Sequence, residues 1–188
     1  MDIRELALPG VKLITPTYFE DYRGYYCETY SKRTLHELGI DVEFVQDNHF
    51  LSLQRGTIRG LHFQNAPYVQ AKLLRCTKGC LMSVAVDLRK DSPTYKQWVS
   101  AILSQENRKQ LFIPRGFGQC CMSLVDMTEG QYKVDCLYEP SHDRAIRWDD
   151  PEIGIEWPDI EAIVSPKDQR APFLKNSDVN FMMELNPR

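Results

Sequence analysis

His62 stands in RGTIRGLHFQ (residues 55–64), a strand-like run of mostly apolar residues and glycines. Histidine has an ordinary pKa of ~6.5, so it can take and return a proton near neutrality. Simple alternation places Ile58, Gly60, His62 and Gln64 on one face, and the nearby glycines leave room for another group to approach. Tyr132 and Tyr138 fall on one face of GQYKVDCLYEP with Val134 and Cys136. Lys72, in QAKLLRC, shares a face with Leu74 and Cys76, and a lysine there must either reach the rim or find a partner. Each residue also has a plainer reading: a hydrogen-bonded core histidine, core tyrosines with satisfied hydroxyls, a lysine lying along the surface. Arg23 and Arg59 read equally well as surface charges. The residues alone leave these readings open. His36 and His142 fall in a helix-like and a turn-like segment and read as solvated, while His49 in QDNHF is ambiguous.

The elements that must position these groups are mostly strands. LLRCTKGCLMSVAVDL reads as two strands about a hairpin turn at Lys78-Gly79, with Met82, Val84, Val86 and Leu88 alternating with Ser83, Ala85 and Asp87. KQWVSAILS is a further strand, and KQLFIPRGFGQCCMSLVD is a strand, a Pro-Arg-Gly turn and another strand. EDYRGYYCETY turns at Asp21–Gly24 into a strand. SKRTLHELGI is the best helix, with Ser31 placed to cap its start and Gly39 just past its end. RWDDPEIGIEWPD is a turn-rich connection, and the tail from about residue 160 is expected to pack back in short helical or irregular pieces. Many short strands broken by Gly and Pro turns predict a mainly β double-sheet jelly roll or barrel with a few short helices, an immunoglobulin-like sandwich being the main competitor. Its open mouth is where inward side chains from several strands converge.

The 188 residues predict a single domain spanning 1–188, and 43% hydrophobic content suffices for a sizeable core. A net charge of −3 gives no electrostatic case for nucleic acid or an anionic membrane. No apolar run is long enough for a membrane span, and the N-terminus lacks the apolar centre of a secretory signal, so the expectation is a soluble cytoplasmic protein. The six cysteines contain no C-x-x-C spacing and are expected to be reduced thiols. A jelly roll with histidines raises a metal site, but Gln64 stands where an H-x-H pair needs its second ligand and Gln119 where P-x-G-x-x-H needs its histidine. Amide oxygens are poor replacements for imidazole with transition metals, so no metal and no cofactor are expected.

The motifs DYRGYYCETY, FVQDNHF, GTIRGLHFQ, QAKLLRCTKG, VAVDLRKDSPTYKQW, LFIPRGFGQ, QYKVDCLYEP, AIRWDDPEIGIEWP and SPKD occur in order along nearly the whole chain. In them the chain resembles the dTDP-4-dehydrorhamnose 3,5-epimerases, metal-free cupin-type enzymes acting on nucleotide sugars. The resemblance implies proton abstraction and return at C3 and/or C5 of a dTDP-4-keto-6-deoxyhexose. It makes His62 the base, Tyr132 the acid, Asp168 the carboxylate that orients His62, and Lys72 the group beside the keto oxygen. It implies substrate binding by Arg23, Glu28, Gln46, Asp47, Asn48, Arg59, Gln119, Tyr138, Asp143 and Lys167, and a homodimer whose N-terminal strands enter the neighbour's sheet. The chemistry agrees. A phenol of pKa ~10 is neutral at pH 7 and can protonate carbon, and a fixed ammonium stabilises enolate charge. Forked guanidinium donors suit a diphosphate in a chain without a Walker motif. The sequence departs from the family at Gln119, usually His, and at Asp143, often Glu. Two other functions stay in view: a single-centre epimerase or keto-isomerase on a related sugar, and a non-catalytic sugar-binding cupin.

Overall fold

The computed structural model describes residues 1–183. Its strands are β1 (Asp2–Glu5), β2 (Lys12–Thr15), β3 (Tyr18–Asp21), β4 (Gly24–Cys27), β5 (Gln46–Ser52), β6 (Thr57–Gln64), β7 (Lys72–Lys78), β8 (Cys80–Asp87), β9 (Trp98–Ser104), β10 (Gln110–Ile113), β11 (Phe117–Ser123), β12 (Thr128–Val134), β13 (Asp143–Ala145) and β14 (Ile163–Val164). Two short helices, α1 (Lys32–Glu37) and α2 (Pro166–Gln169), complete the set with a 3-10 turn at Leu174–Asn176. One sheet runs β1-β2-β10-β7-β12-β5, and the other runs β13-β6-β11-β8-β9 with β14 added parallel to β6. Face to face they form the double-sheet jelly roll expected of the strand pattern. β3 and β4 make a separate two-stranded hairpin. No helix among the described residues is long and apolar enough to cross a membrane, and all six cysteines are free thiols.

Three apolar layers hold the sheets. Leu74, Leu81, Ala85, Leu103, Leu111 and Phe117 fill the space between them. Helix α1 covers the outside of the first sheet, where Leu35 and Ile40 meet Leu73 and Phe112. Ser31 accepts the Thr34 N–H at the helix start, and Gly39 takes the left-handed conformation (φ +77) just beyond its end, as the sequence reading expects. The chain after residue 170 covers the outside of the second sheet, packing Leu174, Val179 and Phe181 onto Leu61, Phe63, Val84 and Val86. β8 is therefore buried on both faces, and its alternation separates two cores rather than core from solvent.

Three local expectations are corrected. Lys78-Gly79 is not a hairpin turn. β7 and β8 belong to different sheets, and the turn carries the chain from one to the other. A Cβ on Gly79 would lie 2.7 Å from Thr128 Oγ1, so the corner needs glycine. Tyr138 does not share a strand face with Tyr132, because β12 stops at Val134. There the Asp135 carboxylate accepts the Ala71 N–H (2.7 Å) and the Arg115 guanidinium (2.8 Å), so a side chain takes the place of the next ladder bond. Finally, the alternation of β6 is broken at Gly60, where its register with β11 shifts between Gln119 and Cys121. Gly60 has φ +113, and a Cβ there would sit 2.6 Å from the Gln119 carbonyl oxygen. The bulge puts Arg59, which simple alternation sends to the other face, on the wall of the same cavity as His62.

Candidate active site

A cavity of about 700 Å³ opens between the two sheets. Its walls include His62, Arg59 and Gln119 from the second sheet, Tyr132, Asp47 and Asn48 from the first, and Lys167 and Asp168 from the C-terminal segment. His62 and Tyr132 thus occupy opposite walls. Gln119 is the cross-strand partner of His62.

Asp168 reaches His62 because β14 runs parallel to the start of β6, pairing Val164 with Ile58. The next residues turn into α2, with Ser165 accepting the Asp168 N–H (3.1 Å) as its cap and Pro166 fitting the first turn. Asp168 Oδ1 then lies 2.6 Å from His62 Nε2, and Oδ2 accepts the Gly60 N–H at 3.4 Å. The carboxylate is sealed, with 4% side-chain exposure, while the imidazole is 32% exposed toward the cavity. Burial pushes the Asp168 carboxyl upward, but the bond and charge of His62, the Gly60 N–H and Ser165 together outweigh it and hold the group below its ordinary value. With Asp168 ionised, Nε2 carries the proton and Nδ1 is the basic nitrogen.

Lys72 lies behind these two walls. Its ammonium is 3.5 Å from the His62 carbonyl oxygen and 5.8 Å from the centre of the Tyr132 ring. It is buried, and desolvation lowers its pKa to about 8. Desolvation likewise raises the Tyr132 phenol, keeping it protonated.

The remaining candidates sort by position. Arg59 stacks on Phe50 and donates to the Leu51 carbonyl at 2.7 Å, which fixes it on the wall. Asp47 pairs with Lys133, and Asn48 accepts from Gln46, which itself stands one row back. Asp143 takes the Lys167 ammonium at 2.6 Å and the Tyr138 hydroxyl at 3.4 Å, forming a chain of three side chains at the mouth. Arg23 and Glu28 are not brought to the cavity. Arg23 pairs with Asp21 at the exposed tip of the β3–β4 hairpin, and Glu28 accepts from Thr34. Cys121, read from the sequence only as a reduced thiol, also lines the cavity, two residues beyond Gln119 on the inward face of β11, a position the alternation of that strand could have exposed. Burial raises its thiol to about 11, so it forms neutral wall.

Fold and pocket together define a cupin-type jelly roll with a cavity between its sheets lined by a histidine–carboxylate pair and a phenol. The family model described as dTDP-4-dehydrorhamnose 3,5-epimerase matches residues 5–176. The dTDP-4-dehydrorhamnose 3,5-epimerase of Sinorhizobium fredii is 48% identical over 182 residues, spanning 96% of this chain and 93% of that protein. Its Salmonella typhimurium counterpart is 45% identical over 176 residues, spanning 93% and 96%. The solved structure of the dTDP-6-deoxy-D-glucose-3,5-epimerase of Legionella pneumophila in complex with dTDP-4-keto-L-rhamnose matches with a TM-score of 0.90 at 39% identity, covering 100% of this chain and 97% of that one. The Bacillus anthracis dTDP-4-dehydrorhamnose 3,5-epimerase with TDP and PPi bound matches with a TM-score of 0.89 at 45% identity, covering 92% and 98%. The chain belongs to the dTDP-4-dehydrorhamnose 3,5-epimerase family.

Proposed function

We propose that this protein is an isomerase that inverts carbons flanking the ketone of a dTDP-4-keto-6-deoxyhexose. The observation that carries the reading is the His62–Asp168 pair, joined at 2.6 Å and open to the same cavity that Tyr132 lines from the opposite sheet. His62 Nδ1 removes the proton from the carbon beside the ketone. The electron pair of that C–H bond becomes the C–C π bond of an enolate, and the ketone oxygen takes the negative charge. The Lys72 ammonium stabilises that oxygen. Tyr132 then delivers its hydroxyl proton to the other face of the same carbon, and the ketone re-forms. The centre is inverted because base and acid stand on two walls. Solvent exchange returns the imidazolium and phenolate to their starting states. Arg59 and Lys167 bind the anionic diphosphate, and Gln119 holds the sugar as a neutral donor and acceptor beside the base.

The test is the sugar itself. In D2O, the protein is expected to place deuterium at C3, C5 or both in dTDP-4-keto-6-deoxyglucose, read proton by proton by NMR. Binding without exchange at either carbon sinks the enzymatic reading and leaves a sugar-binding module.

The family resemblance gives Arg23 and Glu28 a substrate role that their position in one chain does not supply, and a homodimer resolves this. One face of the β3–β4 hairpin exposes the cross-strand pair Phe19 and Tyr26, at 67% and 73%. β5, which carries Asp47 and Asn48, is a sheet edge with no outer neighbour among the described residues. In the proposed dimer the hairpin of one subunit lies along β5 of the other and brings Arg23 and Glu28 to that subunit's cavity. Mixing inactive His62→Ala subunits with Arg23→Ala subunits is then expected to restore about a quarter of the wild-type sites, because each mixed dimer holds one site with neither lesion. Mixtures that stay at the level of the separate variants place both residues in the same subunit's site.

A further inference from the structure

The β3–β4 hairpin pairs with neither main sheet, and a lone two-stranded hairpin is marginally stable in water. Within its own subunit, something other than ladder hydrogen bonds must fix its direction. We propose that Arg108 is that element: a positioning residue that clamps the hairpin so that Arg23 points toward substrate. This rests on the substrate role given to the hairpin above.

Arg108 sits in the turn between β9 and β10 and is not among the residues that line the cavity. Its guanidinium lies 4.0 Å from the centre of the Tyr25 ring and 4.7 Å from that of Tyr18, and the two rings meet edge to face at 5.4 Å. Arg108 Nη1 pairs with Glu20, and the Tyr18 hydroxyl donates to the Arg108 carbonyl at 2.9 Å. Tyr18, Glu20 and Tyr25 all lie on one face of the hairpin, since Glu20 is the cross-strand partner of Tyr25 and Tyr18 stands two residues before Glu20. One side chain therefore engages both strands.

The turn beneath is itself braced. Asn107 Oδ1 accepts the Ser104 and Lys109 N–H groups at 3.1 and 3.0 Å, and Arg108 N–H donates to the Ser104 carbonyl at 2.8 Å. Arg108 holds φ +54, which an arginine adopts only where its surroundings enforce it, and its Nε is buried without a hydrogen-bond partner among the described residues. A backbone held in a left-handed conformation and an unsatisfied donor are both unfavourable locally. The stacking on two rings and the ion pair offset them, so the residue is committed to this contact. The opposite face of the hairpin, with Phe19 and Tyr26, is left outward.

Kinetics with dTDP-4-keto-6-deoxyglucose separate positioning from general support. Arg108→Ala is expected to raise KM about tenfold or more while kcat stays within about twofold, because the reacting groups are untouched and only the binding arm swings. Hydrogen exchange across residues 17–28 should quicken, with the melting temperature nearly unchanged. Arg108→Lys keeps the charge facing Glu20 but not the planar stack, so it should recover only part of the loss, and it serves if the alanine variant folds poorly. A KM equal to wild type in both variants overturns the proposal, as does a joint fall of kcat and melting temperature with KM unchanged. Arg23→Ala assigns a failure to its cause. If it raises KM and the Arg108 variants do not, the clamp alone is wrong. If it leaves KM unchanged, the hairpin has no part in binding substrate, and the clamp falls with that reading.

Discussion

In His62→Ala, deuterium incorporation into the 4-keto sugar is expected to fall by about 10²–10⁴-fold while the nucleotide sugar still binds. That range is what a positioned general base typically contributes. The loss falls on kcat, because the imidazole acts on a proton that moves only in the transition state. Asp168→Asn separates the base from its support. An amide in place of the carboxylate can still occupy the space beside Nε2, but it neither enforces the Nε2–H tautomer nor stabilises the imidazolium that forms. Activity should fall with His62 still in place. The Asp168 carboxyl is held below its ordinary value, so the folded state binds fewer protons there than the unfolded chain does. The stability it contributes is present above the unfolded carboxylate pKa and is lost as pH falls through the lower folded one. Asp168→Asn should therefore flatten the acid end of the melting curve, measured by thermal denaturation from pH 6 downward. An Asp168→Asn protein with wild-type exchange rates contradicts the role given to the pair.

Lys72→Met is expected to move activity and stability in opposite directions. Removing the cation proposed to stabilise the enolate should lower kcat by about 10²–10³-fold, the loss seen when a single oxyanion donor is deleted. The same ammonium is unfavourable to the fold. Its pKa drops from 10.5 to about 8 on burial, which corresponds to about 3 kcal/mol. Between those two pH values the unfolded chain binds more protons than the folded one, so wild-type stability rises with pH across the window and the full penalty stands below about pH 8. Methionine has nearly the same length and no charge, so the variant should melt at a higher temperature at pH 7 and lose that rise between pH 8 and 10.5. In wild type, catalysis should decline as pH climbs through about 8, where the ammonium is lost. A variant that melts lower and is inactive for that reason makes Lys72 a structural residue instead.

Several features of this protein can be read from sequence because they depend on neighbours along the chain. The strands around His62 and Tyr132 follow from period-two patterning. The cap at Ser31 and the left-handed Gly39 follow from turn chemistry. Lys72 could be singled out because a lysine between inward-facing apolar residues always needs an explanation. Where sequence reading went astray, a distant contact had overridden the local pattern. Alternation separates Arg59 from His62, but a bulge at Gly60, where the strand closely approaches the Gln119 backbone, puts both on the wall of one cavity. Lys78-Gly79 has the composition of a hairpin turn, yet the two flanking strands find their partners in different sheets.

The sequence by itself determined which residues were able to act: an imidazole, a phenol and an amine, each on a strand, and, through its family motifs, the carboxylate of SPKD. Only the tertiary structure decided that Asp168 meets His62 across 106 residues of chain, that Tyr132 faces them from the opposite sheet, and that Arg23 stands apart on a hairpin tip. Periodicity and turn propensity are set within a few residues. The meeting of two side chains depends on how whole sheets pack, and that is settled by burial and by hydrogen bonds between segments far apart in sequence.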